Sequence, residues 1–324
     1  MTAKANAKCL RDLAGAKGIR IGSAVVPDLL RRVPEYASTL AREFSALTAE
    51  NVMKVGALQP EQGRFEFADA DYMIGFAEAH GMAVRGHTFV WHMAVPEWLE
   101  KGEFSSAQLA GVLAGHIQEV AGRYAGRIAW WDVVNESIED KSFGMRDTLW
   151  HRGLGQDYIA QAFRWAHQAD PKAKLFYNDY GAEGMGKKSE AVYALVRKLL
   201  DEGVPIHGVG LQMHITAGPE RPAAAEIGVN IRRLRDLGLE VHVTELDVRL
   251  PAPVTSELLA TQAQVYAEVA RSALDAGASA LTLWGFTDAH SWIPKWFAGF
   301  DAGLIFDEQY QPKPAYRALA RELA

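Results

Sequence analysis

Eight short apolar or β-branched runs set the frame of this chain: Ile19–Val25, Ser45–Thr48, Ala83–Thr88, Ala129–Val134, Lys174–Asn178, Gly208–Gln212, Glu240–Glu245 and Ala280–Gly285. They begin some 26 to 46 residues apart, which leaves room for a helix between each pair. One such helix is readable in detail. Ser189 offers an N-cap, Val192, Leu195, Val196 and Leu199 recur at helical spacing, and Gly203-Val-Pro205 stops the run. Eight βα units can close into a (β/α)8 barrel or lie open as a doubly wound sheet. Polar or aromatic residues gather where most of the runs end: Glu50-Asn51, His87, Asn135-Glu136, Asn178-Asp179, Gln212 and His214, Glu245 and Asp247, then Trp284. A barrel brings all those ends to one face, whereas an open sheet spreads them over two directions, so an α/β fold with a single (β/α)8 barrel is the expectation.

No low-complexity tract or Pro/Gly/Ser linker divides the 324 residues, so one domain over 1–324 is expected. A net charge of −6 without a basic stripe excludes nucleic acid and anionic membrane as expected partners and suits a neutral substrate. Cys9 is the only cysteine, so neither an intrachain disulfide nor a cysteine-based zinc site is available. No apolar stretch is long enough for a membrane-spanning helix, and Met1–Lys8 lacks the apolar core of a secretory signal.

Two strand ends carry carboxylates. Trp130-Trp-Asp-Val-Val-Asn-Glu136 puts one at the exit of the fourth run, where a lone carboxylate could simply cap the following helix. Val241-His-Val-Thr-Glu245-Leu-Asp247 repeats the pattern three strands later, across the same barrel mouth. Paired carboxylates are what glycoside hydrolysis requires, and in retaining enzymes they stand roughly 5–5.5 Å apart.

With that pair in place the chain resembles glycoside hydrolase family 10, the xylanases, over essentially its whole length. The matching segments are Leu47–Lys54, Arg85–His92, Trp131–Glu136, Leu175–Tyr180, Gly210–His214, Val243–Asp247, Trp284–Pro294 and Leu304–Asp307. The resemblance implies a retaining endo-β-1,4-xylanase acting on xylan or xylo-oligosaccharides, with Glu136 as acid/base and Glu245 as nucleophile. It implies that Asn135 bonds the sugar 2-hydroxyl, that His214 bonds the nucleophile and that Asp247 orients that imidazole. Glu50, Asn51, Lys54, His87, Trp91 and Gln212 are similar to residues that hold sugars on the non-reducing side of the cut. Trp284 and Trp292 are similar to tryptophans that roof the cleft, and Tyr180 to one that stacks beyond the scissile bond; loop packing is the other reading of Tyr180. Trp130, Trp131, Trp150 and Trp165 read as core. No metal and no cofactor are implied, and a monomer is expected. Family members are mostly secreted, so the chain is an intracellular form or has lost a leader; the compartment stays open.

Two positions depart from the family pattern. Ala94 stands where glutamine is common and Gly181 where asparagine is common, which bears on affinity and preferred chain length. A β-1,4-glucanase on a related barrel is the alternative, disfavoured because a bulky roof near the sugar C5 crowds a hydroxymethyl group. A metal-dependent hydrolase would draw on His87, His92, His214 or Asp288 with His290, which lack tight ligand spacing. A non-catalytic sugar-binding module would normally have sacrificed one glutamate.

Overall fold

The computed structural model describes residues 8–324; the stretch read above for a secretory signal lies, but for Lys8, outside the described residues. Among the described residues ten strands form: β1 (Arg20–Val25), β2 (Ala46–Ala49), β3 (Ala83–Val90), β4 (Trp130–Asn135), β5 (Lys174–Asp179), β6 (Gly208–Leu211), β7 (His214–Thr216), β8 (Glu240–Pro251), β9 (Ala280–Leu283) and β10 (Phe300–Asp301). β1 to β6, β8 and β9 pair in parallel, each with the next. β9 then pairs with β1, so the sheet closes on itself. The open-sheet reading is thereby excluded. The two strands with no counterpart among the eight runs both attach to β8, β7 in parallel and β10 antiparallel. β8 therefore runs on to Pro251, well past the barrel wall.

Helices coat the barrel by ordinary amphipathic logic. In the helix Ser106–Arg123, Leu109, Leu113, Ile117 and Val120 are buried. Ser105 accepts from the Gln108 N–H, and Gln108 Oε1 accepts in return from the Ser105 N–H, closing both ends of a capping box. The helix Lys187–Asp201 starts earlier than Ser189 suggests. Gly186 is its N-cap, and Ser189, in the third helical position, reaches back to accept from the Gly186 N–H at 2.8 Å. A hydroxyl there satisfies an orphan donor as well as one at the cap does. Gly203 ends the helix at φ +64°, as expected.

The barrel interior is not wholly apolar. Arg85, Asp132 and His242 are each at most 3 % exposed. Arg85 Nε donates to both Asp132 oxygens at 3.0 Å, and its Nη1 lies 3.1 Å from His242 Nδ1. Burial pushes the His242 imidazole down to about 4, so it is neutral and able to accept from the guanidinium. A buried ion pair survives because every partner is supplied.

Large side chains of the barrel wall fit only because small residues face them across the ladder. Gly86 stands in register with Trp131, and the indole occupies the space that a Gly86 side chain would need. Gly86→Ala should therefore lower the unfolding free energy by about 1–3 kcal/mol through overpacking. Chemical denaturation of the two proteins measures this, and an unchanged midpoint would contradict it.

Candidate active site

Glu136 follows the last residue of β4, while Glu245 and Asp247 sit two apart within β8 and so project to one side of it. Register shifts interrupt the ladders beside both: between Asp132 and Val134 in β4, and between Val243 and Leu246 in β8. Such irregularities re-aim side chains at a barrel rim. Glu136 also has φ +58°, a left-handed backbone uncommon for a residue with a Cβ.

Both Glu245 oxygens are held. Oε1 accepts from Asn178 Nδ2 at 2.7 Å, and Oε2 accepts from His214 Nε2 at 3.2 Å. His214 heads β7, whose pairing with β8 sets it opposite Asp247. Its Nδ1 donates to Asp247 Oδ2 at 2.9 Å. Burial alone would lower the pKa of this imidazole, but Asp247 and Glu245 override it and raise it to about 10, so His214 is a cation with two donors. For Glu245, burial works against ionisation, but the His214 bond together with the charges of His87 and His214 outweighs it, leaving the carboxyl below its ordinary value.

Glu136 is bound differently, by neutral donors. Its Oε1 accepts from Asn135 Nδ2 at 3.0 Å and from Gln212 Nε2 at 2.9 Å, and its Oε2 accepts from Trp91 Nε1 at 2.7 Å. The Trp91 carbonyl is in turn fixed by the buried Trp150 indole at 3.0 Å. Asn178 joins the two carboxylates, since the amide that donates to Glu245 also donates to Asn135 Oδ1 at 2.8 Å. Thr244 orients that amide by donating to its oxygen at 2.7 Å. In sequence Asn178 is only another polar strand end. Its register partner Gly210, which leaves the space the Asn178 amide occupies, is the local sign that a polar group enters the barrel there.

The remaining residues named from sequence fall around this core. His87 lies inside β3 rather than at its end, 2 % exposed, with Nδ1 donating to Asp132 at 2.9 Å. The strand continues to Val90 because its pairing with β4 resumes at Val134. Lys54 is 8 % exposed, donates to Asn51 at 2.9 Å and sits 4.6 Å above the Trp91 ring; Asn51 also donates to Glu50. Trp284 is 7 % exposed and meets the His87 and His214 rings in T-shaped contacts. Trp292 lies 4.8 Å from the His214 ring and donates to the same Asp247 oxygen at 2.8 Å. Tyr180 has the Lys188 ammonium 3.6 Å from its ring centre and donates to Asp140. Gln212, placed by resemblance with the sugar-holding residues, touches Glu136 directly.

Ala94 and Gly181 are both left-handed, at φ +52° and +67°. That backbone suits glycine and asparagine alike, so at 181 either residue fits the turn. Among the described residues no three His, Cys, Asp or Glu stand together as a metal-binding set. His290 faces Tyr310, and Asp288 pairs with Lys313.

Two carboxylates at the carboxyl-end face of a closed (β/α)8 barrel, one bound by an imidazolium and one by amides, define the glycoside-hydrolase class of site. The profile described as glycosyl hydrolase family 10 matches residues 9–322, and the chain belongs to that family. Endo-1,4-beta-xylanase B of Thermotoga neapolitana is 40% identical over 97% of this chain and 91% of its own. Exoglucanase XynX of Acetivibrio thermocellus is 39% identical over 93% of this chain, but only 28% of that longer protein is matched. The crystal structure of xylanase 10B from Thermotoga petrophila, in complex with xylobiose, superposes with a TM-score of 0.94 at 39% identity, covering 97% of both chains.

The His214 network has a pH signature. A pKa raised from 6.5 to about 10 means that folding favours the protonated imidazole, so its stabilisation is complete below about 6.5 and lost as pH rises through about 10. The stability difference between the wild type and His214→Gln, followed by urea denaturation, should shrink across that window. A difference independent of pH would contradict the assignment.

Proposed function

We propose that Glu136 and Glu245 carry the double displacement by which this retaining endo-1,4-β-xylanase cleaves internal bonds of xylan or xylo-oligosaccharides. The supporting observation is the Asn178 bridge, which places both carboxylates in one hydrogen-bonded array while giving them partners of different charge.

In the first step an ionised Glu245 oxygen attacks the anomeric carbon. The glycosidic C–O bond breaks, and protonated Glu136 gives its proton to the departing oxygen. In the second step Glu136 takes a proton from water as the water oxygen attacks the same carbon and Glu245 leaves. Net retention follows from two inversions. The His214 cation stabilises Glu245 as a leaving carboxylate just as it favours the free anion, and Asp247 holds that imidazole in place. Asn135, already bonded to Glu136, is positioned to meet the 2-hydroxyl of the sugar undergoing substitution. Lys54, Asn51, Glu50, His87 and Trp91 line the non-reducing side: polar groups suit hydroxyls of fixed direction, and a flat indole suits the apolar face of a xylose ring.

The two roles separate by variant and substrate. Glu136→Ala should nearly abolish xylan cleavage, at about a hundredfold loss or more. It should retain the first step on an aryl xylobioside with an acidic phenol, and azide should restore its turnover with a β-configured xylobiosyl azide as product. Glu245→Ala should be inactive on both substrates. A burst from Glu245→Ala instead of Glu136→Ala would reverse the assignment.

A further inference from the structure

The carbonyls of the turn that carries Glu136 are tied down by a single residue, Arg146. Its backbone N–H donates to the Ser137 carbonyl at 2.7 Å, Nε to the Glu136 carbonyl at 3.0 Å and Nη2 to the Ile138 carbonyl at 3.0 Å. Three successive carbonyls beginning at Glu136 thus share one partner. The left-handed conformation at Glu136 is sparsely populated and persists only where surrounding contacts over-determine it. On the other flank, the Glu136 N–H donates to the Asn178 carbonyl at 2.9 Å, so β5 fixes the amide and Arg146 the carbonyl.

The guanidinium is itself anchored. Nη2 reaches the Tyr180 hydroxyl at 3.3 Å and Asp140 Oδ2 at 3.4 Å, and the Tyr180 hydroxyl donates to that same Asp140 oxygen at 2.5 Å. Lys188, 5 % exposed, binds Asp140 at 2.7 Å and the fully buried Asp179 at 3.0 Å. The clamp therefore runs from the end of β5 through Lys188 and Asp140 to Arg146, and from there to the backbone of Glu136.

We propose that Arg146 is the positioning residue of the acid/base: its fork holds the strained turn so that the Glu136 carboxyl is aimed at the departing oxygen, and its bond to Tyr180 ties that aim to the neighbouring strand end. The proposal rests on Glu136 being the acid/base. Arg146 touches no reacting atom, and its effect passes through the geometry of Glu136. A guanidinium is suited to this because its donors lie in one fixed plane, whereas an ammonium cannot span separate carbonyls in the same way.

A staple that only stabilised the fold would slow all substrates alike. A positioning residue weakens proton delivery, so the loss scales with how much the leaving group needs a proton. The test is kcat/KM for Arg146→Ala and Arg146→Lys on xylan and on aryl xylobiosides of graded phenol acidity, with thermal unfolding measured on each protein. Arg146→Ala should lose about ten- to a hundredfold on xylan and less than about threefold on the dinitrophenyl xylobioside, steepening the dependence on leaving-group acidity. Arg146→Lys, which keeps the charge beside Asp140 and Tyr180, should steepen the dependence to a smaller degree. Equal losses on every leaving group would overturn the proposal, as would a lysine variant with the wild-type slope. Glu136→Ala measured alongside separates the two layers. If that variant lacks the steep dependence, the acid/base reading fails and not the clamp alone.

Discussion

The pairing of β9 with both β8 and β1 is the constraint from which the site follows. Closure makes every parallel strand point its carboxyl end at one mouth, and the side chains just beyond those ends become neighbours although dozens of residues separate them in sequence. Closure also seals the interior, which raises the cost of any unpaired polar group there. The Arg85, Asp132 and His242 set meets that cost with complete pairing. It also supplies the carboxylate on which His87 rests, so the polar interior supports the mouth from below.

Within the mouth, chemical difference comes from the choice of partner. Glu245 receives a bond from a cation and another from an amide, whereas Glu136 receives bonds only from amides and an indole. An imidazolium favours the anion by charge as well as by hydrogen bonding; a neutral donor lacks the charge contribution. Asn178 contacts Glu245 and Asn135 through the same nitrogen, so a displacement of one carboxylate is felt by the shell of the other.

The barrel was legible because its signal is local. Each of the eight runs begins within one residue of a barrel strand, and burial on both faces makes such strands continuous apolar stretches. What was not legible depends on partners distant in sequence. β8 extends six residues past Glu245 because β7 and β10 arrive to pair with it, and neither has an apolar run of its own. Ser189 reads as a cap because a hydroxyl serves equally from the cap or from the third helical position. Trp284 is given its place at the cleft by resemblance, and nothing in its own segment shows that it packs against His87 and His214. Arg146 gives no signal at all, since its principal partners are backbone carbonyls, which every residue possesses. The carboxylates Glu136 and Glu245 stood out in sequence because an acidic residue at the end of an apolar strand is costly. Asn178 did not, because an asparagine beside a turn is ordinary.

Trp292 and His214 donate to the same oxygen of Asp247. The rim segment bearing Trp292 is thus latched onto a carboxylate within the barrel wall. Lifting it gives up a hydrogen bond to a charged acceptor, about 1.5–3 kcal/mol, so by that bond alone a raised rim is populated roughly one part in ten to one in a hundred or less. Breathing of this edge is rare, so the Trp292 segment behaves as a fixed part of the rim rather than as a lid.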